Sequence, residues 1–182
     1  MKIPQPETYP TLIFDCDGVV LDSNRVKTDA FRVAALPWGR AAAEALVAHH
    51  LRHGGVSRYA KFAHFLEQIV PEHAPGRQGP GLDDLLSAYA IAARDGLMTC
   101  DVAAGLTEMR AATPRTRWMI VSGGDQAELR DIFAARGLSA LFDGGIFGSP
   151  DTKDTILARE LATGNIRPPA LFLGDSRYDH QA

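Results

Sequence analysis

The chain has 182 residues, 46% of them apolar, and a formal net charge of −3. That length and apolar content supply one sizeable core and exclude a disordered chain, while the slight acidic excess disfavours a nucleic-acid partner, which clustered Lys and Arg would have to hold. No apolar run approaches the roughly 20 residues of a bilayer span, Met1 to Pro10 has no signal-like apolar stretch, and Cys16 and Cys100 are too few for a disulfide framework, so no membrane is expected and a reducing cytoplasm is the expected compartment.

Thr11 to Phe14 is a short apolar run that leaves a proline-rich lead and stops at Asp15, which predicts a buried strand. From about Asp22 to Leu97 only helices are predicted: Asn24 to Ala35, Arg40 to His53, Ser57 to Val70 and Leu82 to Arg94. Pro37, the Gly54-Gly55 pair and the Pro- and Gly-rich stretch from Pro71 to Gly81 separate them. Phe62, Phe65, Leu66 and Ile69 follow helical spacing and are expected in that segment's core. Trp118 to Val121 predicts a second strand ending at Ser122-Gly123-Gly124, and Asp125 then caps a helix through Arg136 that stops at Gly137. Gly145 to Phe147 predicts a third strand, ending at Gly148-Ser149-Pro150, with a helix from about Thr152 to Thr163 behind it and Gly164 as its stop. Ala170 to Leu173 predicts the fourth, ending at Gly174-Asp175.

Strands alternating with helices of this length imply a parallel sheet covered on both faces. The expected fold class is therefore α/β, a Rossmann-like doubly wound core over residues 1–21 and 98–182, with an all-helical subdomain inserted at 22–97. The insert carries nine basic and eight acidic residues and the remainder ten and fourteen. A slightly basic insert with an acidic core suits an anionic substrate held with a divalent cation.

Ligands of such sheets gather beyond the carboxyl ends of the strands, which is where the polar residues fall. Asp15 and Asp17 flank Cys16 at the end of the first strand, and Gly18 gives the backbone the freedom to turn both carboxylates towards one pocket. One carboxylate can attack phosphorus, and the other can protonate a leaving alkoxide and then deprotonate water. Ser122 offers a hydroxyl, with nearby backbone N–H groups, to a phosphoryl oxygen. Lys153 would neutralise both that group and Asp15; at a helix start it sits against the dipole, which asks for another reason for its presence. Asp175 and Asp179 complete a site of the kind Mg²⁺ takes. Taken singly, each of these also reads as a solvated turn or a helix cap. Cys16 between the acids reads as a small buried filler whose thiol stays protonated.

As a set, Phe14-Asp15-Cys16-Asp17-Gly18-Val19, Val121-Ser122-Gly123, Lys153 and Gly174-Asp175-Ser176-Arg177-Tyr178-Asp179 resemble, in order and across the whole chain, the four motifs of the haloacid dehalogenase superfamily. The resemblance implies Asp15 as nucleophile, Asp17 as general acid/base, and Ser122 and Lys153 as phosphoryl-binding residues with the backbone at Gly18 and Gly123. It implies Mg²⁺ held by Asp15, the carbonyl of Asp17, Asp175 and Asp179. It also makes the insert similar to the helical cap of this superfamily, which closes over the site and selects the leaving group. An Asp two positions after the nucleophile marks the phosphate-ester hydrolases, so Asp17 argues for phosphate. Members normally continue past the fourth motif with a further strand and helix, whereas this sequence ends at Ala182. A truncated form or a missing edge element is therefore expected, with Asp179 near a fraying end.

The function so implied is hydrolysis of a phosphomonoester of a small metabolite, of the sugar or polyol phosphate class handled by similar bacterial proteins. Phosphomutase chemistry, or a binding module with an impaired site, is the alternative. In the insert, Arg58 and Lys61 follow a Gly pair and share a helical face, which makes them candidates for reading the substrate, with Arg25 and Lys27 behind them. His49 and His53, four apart, read as surface-helix residues rather than a metal pair.

Overall fold

The computed structural model describes residues 5–176, 179 and 180, and the four apolar runs are its strands: β1 (Thr11–Phe14), β2 (Arg117–Asp125), β3 (Ile146–Ser149) and β4 (Ala170–Leu173). They form one sheet in the order β3-β2-β1-β4, with every pair parallel. All four residues of β1 are buried, as a central strand covered on both faces must be. Its register sets Phe14 beside Ile120 on one side and Leu173 on the other. The segments that follow these residues therefore emerge at one end of the sheet.

Because side chains alternate along a strand, neighbouring residues of β1 serve two different layers. Ile13 joins Met119, Val121, Ile156 and Ile166 in one buried cluster. Phe14 turns the other way and packs on Trp118 at 4.7 Å and Phe142 at 5.7 Å, with Phe133 behind at 5.5 Å. Such ring pairs add about 0.5–1.5 kcal/mol each beyond their buried area. Trp118 is fully enclosed, and its Nε1–H donates to Thr113 Oγ1 at 3.0 Å.

The predicted bounds of β2 and β3 shift. β2 runs through Ser122-Gly123-Gly124 to Asp125, with an irregular register against β3 between Val121 and Asp125, because glycines with no side chain to pack still allow extended backbone. β3 begins at Ile146, not Gly145, whose φ of 105° lies outside the strand region. Asp125 does cap α7 (Gln126–Ala135), accepting from the Glu128 N–H at 2.9 Å, and Thr152 caps α8 (Lys153–Ala162). The short α6 (Leu106–Ala112), entered through Gly105 at φ 78°, was not anticipated.

By their internal packing the residues fall into two compact units, Met1–Asp22 with Asp101–Ala182, and Ser23–Cys100. The second is helical: α1 (Asn24–Ala35), α2 (Arg40–Arg52), α3 (Arg58–His64), α4 (Val70–His73) and α5 (Leu82–Thr99). Between α3 and α4 lies one π turn, Phe65–Ile69, so the predicted helix from Ser57 is continued past Val70. The wider turn lets the Val70 N–H reach the Phe65 carbonyl just before Pro71, which has no N–H to give. α5 also outruns its predicted end at Arg94. Gly96 does not stop it, because a Cβ there would lie 2.5 Å from Val26 Cγ1 and the missing side chain is what lets α1 and α5 pack. Phe62, Phe65 and Ile69 are buried, whereas Leu66 is only half-buried. Half-buried Trp38 donates from Nε1 to the Pro80 carbonyl at 3.1 Å and lies against Gly79, where a Cβ would sit 2.7 Å from its ring.

Candidate active site

The site begins where β1 stops. Asp15 is 3% exposed and its N–H continues the ladder to the Leu173 carbonyl at 2.9 Å, so its backbone is still part of the sheet. The chain then folds tightly. The N–H groups of Val20 and Leu21 both donate to the Cys16 carbonyl, Gly18 donates to the Leu21 carbonyl, and Gly18 has a φ of 73°, a region closed to most side chains. Cys16 is fully buried. Asp17 lies in this turn, near enough that its charge acts on Asp15.

Lys153 opens α8 but does not point into solvent. It is 1% exposed, and its Nζ stands 2.8 Å from Asp15 Oδ2 and bonds Asp179 Oδ1 as well. The helix start that disfavours a lysine is thus offset by two carboxylates. Asp179 is likewise no frayed residue. It is 7% exposed, and its Oδ2 accepts from the Ser176 N–H at 3.0 Å and the Ser176 hydroxyl at 2.6 Å. Gly174 makes room for it, since a Cβ at that position would lie 2.3 Å from Asp179 Cβ. Arg177 and Tyr178, within the same motif, lie outside the described residues.

Electrostatics follow from this enclosure. Burial pushes the Asp15 carboxyl up to about 6; the Lys153 ammonium pulls against that rise, and the charges of Asp17 and Asp179 add to it. For Lys153 burial lowers the pKa, but Asp15 and Asp179 outweigh it, so the amine titrates above its ordinary value. Burial likewise raises Asp179, and the bonds from Lys153 and Ser176 more than reverse it, leaving the carboxyl below its usual range. Carboxylate oxygens of Asp15, Asp175 and Asp179 all lie within 4.8 Å of one another. Three hard anionic oxygens converging from two strand ends fit a hard divalent cation.

Ser122, fully buried, stands at the end of the apolar part of β2, and the Gly124 N–H donates to its Oγ at 3.1 Å. Asp15, Lys153, Asp175 and Asp179 are therefore in direct contact or within one cluster, with Asp17, Gly18, Ser122 and Gly123 on the adjoining strand ends. Two participants were missed from the sequence: Ser149, whose hydroxyl meets the Gly123 and Gly124 carbonyls, and Ser176, an unspecified position inside the fourth motif. The hydroxyl spacing of Ser176 and Asp179, i to i+3, is the local signal that could have found the second.

A family model for haloacid dehalogenase-like hydrolases matches residues 9–182. The chain belongs to this family. No curated protein sequence matches this haloacid dehalogenase-like hydrolase. Among solved structures, one described as a predicted phosphoglycolate phosphatase from Haemophilus somnus 129PT is similar to it with a TM-score of 0.69 at 16% identity, covering 94% of this chain and 79% of the other. A structure described as a predicted phosphatase from Clostridium acetobutylicum gives a TM-score of 0.66 at 16% identity, over 94% and 78%. YfnB from Bacillus subtilis, bound to magnesium, gives 0.61 at 18% identity, over 92% and 80%. At these identities the likeness is one of fold.

The remaining candidates lie in the helical unit of this hydrolase. Lys61 is 3% exposed, with Nζ 2.9 Å from His50 Nδ1 and 5.5 Å above the Phe31 ring. Arg58 lies over Tyr59 at 5.8 Å and Tyr89 at 5.2 Å. Arg25 is a surface residue 3.9 Å from Asp29, whereas Lys27 is buried. His49 is not a plain surface residue: its ring stacks on those of His53 and His64, each at 4.1 Å. Burial, then His53, His64, Lys61 and Arg52, lower its pKa to about 4.

Proposed function

We propose that this hydrolase cleaves phosphate monoesters of small metabolites through an aspartyl phosphate on Asp15. The observation that supports it most is the buried contact of Lys153 Nζ with Asp15 Oδ2 at 2.8 Å, inside the cluster formed with Asp175 and Asp179. A carboxylate held this way is ionised near neutral pH, its oxygen is fixed, and a cation stands where phosphoryl charge has to be balanced.

An Asp15 carboxylate oxygen attacks phosphorus, and the bond from phosphorus to the ester oxygen breaks. Asp17 gives its proton to that oxygen, so the product leaves as an alcohol. Asp17, now a carboxylate, takes a proton from water as the water oxygen attacks the same phosphorus. The bond to Asp15 breaks, inorganic phosphate leaves, and both acids are restored. Ser122 and the N–H of Gly123, with the turn at Gly18, bind the phosphoryl oxygens. Mg²⁺ would be held by Asp15, Asp175, Asp179 and the Asp17 carbonyl, and when bound it supplies positive charge to the transferring group. The helical unit is read as the substrate-selecting cap, with Arg58 as its candidate substrate contact, since Lys61 is buried against His50 and Phe31.

The test is release of inorganic phosphate from an aryl phosphate with Mg²⁺ present, with Asp15→Asn as the control. The expected loss in that variant is at least roughly 10³-fold. A panel of sugar, polyol and short acid phosphates then defines the substrate. Phosphoglycolate belongs in it, since a neighbour of the same fold carries that name. An isomerised phosphoester in place of free phosphate would make the protein a mutase, and full turnover by Asp15→Asn would end the proposal.

A further inference from the structure

One peptide plane ties the end of β3 to the hydroxyl of Ser122. Ser149, 1% exposed at the last position of β3, points its Oγ–H at two carbonyl oxygens, Gly123 at 3.2 Å and Gly124 at 3.0 Å. The Gly123 carbonyl and the Gly124 N–H belong to the same planar trans peptide and point to opposite sides of it. On that opposite side the Gly124 N–H donates to Ser122 Oγ at 3.1 Å. A hydroxyl has one proton and two lone pairs. With one lone pair of Ser122 occupied by Gly124, its own proton is directed elsewhere.

The neighbouring residues keep the peptide from moving. The Gly148 N–H donates to Gln126 Oε1 at 3.3 Å. A Cβ on Gly148 would lie 2.3 Å from the Gly124 carbonyl oxygen, so β3 is laid directly against this turn. The three glycines Gly123, Gly124 and Gly148 leave the backbone free to adopt other orientations, and the Ser149 hydroxyl selects one.

We infer that Ser149 is a positioning residue: through the Gly123–Gly124 peptide it fixes the direction in which Ser122 donates its hydroxyl proton to the phosphoryl group. This rests on the phosphatase reading for its catalytic consequence, but not for the hydrogen-bond relay itself. Without the Ser149 hydroxyl the peptide can turn over. A carbonyl would then face Ser122, take its proton, and leave the phosphoryl oxygen without that donor.

The experiment is a double-mutant cycle of Ser149→Ala and Ser122→Ala on aryl phosphate turnover, with Ser149→Thr as the conservative variant. Loss of one aligned hydrogen bond predicts a fall of about tenfold in kcat for Ser149→Ala. The fall should be near onefold when Ser122 is already Ala, and Ser149→Thr should restore most of it. Equal losses in both backgrounds overturn the relay, because residues acting through one another are not additive. Exchange of the Gly124 amide, followed by NMR, needs no turnover: it should quicken in Ser149→Ala and not in Ser149→Thr, and unchanged exchange overturns the relay too. A wild-type protein that releases no phosphate, yet shows the amide response, counts against the phosphatase reading and supports the relay.

Discussion

Replacing Lys153 by Met keeps the length of the side chain and removes its charge. Asp15 and Asp179, 3% and 7% exposed, then share a buried site with no ammonium between them. Removing one partner of a buried ion pair costs about 3–5 kcal/mol. For a chain of 182 residues that corresponds to a fall in Tm of roughly 6–20 °C. The loss depends on pH. Lys153 holds Asp15 down, so without it the carboxyl rises further above about 6, whereas the ordinary value is 3.8. A folded-state pKa above the unfolded one means that the native protein takes up a proton the unfolded chain does not, so its stability falls as pH rises between the two values. Asp179 works in the same direction, because the stability that its lowered pKa contributes above the ordinary value disappears with Lys153. The deficit should therefore be full near pH 8 and shrink towards about pH 5, measured by thermal unfolding in EDTA. A loss under about 1 kcal/mol, equal at both pH values, would refute the argument that this cluster is buried and mutually charged.

Mg²⁺ and protons should compete for Asp15, so calorimetric Mg²⁺ affinity is expected to weaken as pH falls through about 6; an affinity that does not change across that range contradicts the assignment. Gly174→Ala forces a Cβ to within 2.3 Å of Asp179 Cβ. It should cost about 1–3 kcal/mol in denaturant unfolding and displace Asp179 from Lys153, lowering turnover as well; a variant with wild-type stability and activity would show that the corner is not tight. His49, with its pKa near 4 against an ordinary 6.5, should stay neutral in an NMR titration over the range where free histidine takes up a proton. Because the folded value is the lower one, His49 weakens the native state as pH falls from the ordinary value towards 4. His64→Ala should bring its titration back up.

Strand tips were legible in the sequence because each apolar run is short and is broken by a polar residue or a glycine: Asp15 after Phe14, Ser122 after Val121, Gly174 after Leu173. Helix starts were legible where a side chain closes the first turn, as at Ser57, Asp125 and Thr152. What stayed hidden depends on contacts distant in sequence. Nothing local distinguishes Ser149 from a turn serine until β3 is laid beside β2. The extension of α5 past Arg94 was hidden in the same way, because the reason for Gly96 is its packing on Val26. The burial of Asp179 could not be foreseen from its place in the chain, since it comes from Lys153, 26 residues earlier. The π turn at Phe65–Ile69 has no signal in a pattern that reads only helical period.

The chain has two tryptophans, and they fall one to each unit: Trp118 inside the sheet's aromatic layer and Trp38 against Gly79 among the helices. Single-tryptophan versions of the protein would thus give each unit its own fluorescent reporter. Melting could then be followed in one body at a time, and the two emission curves would tell whether the halves come apart in concert or in sequence.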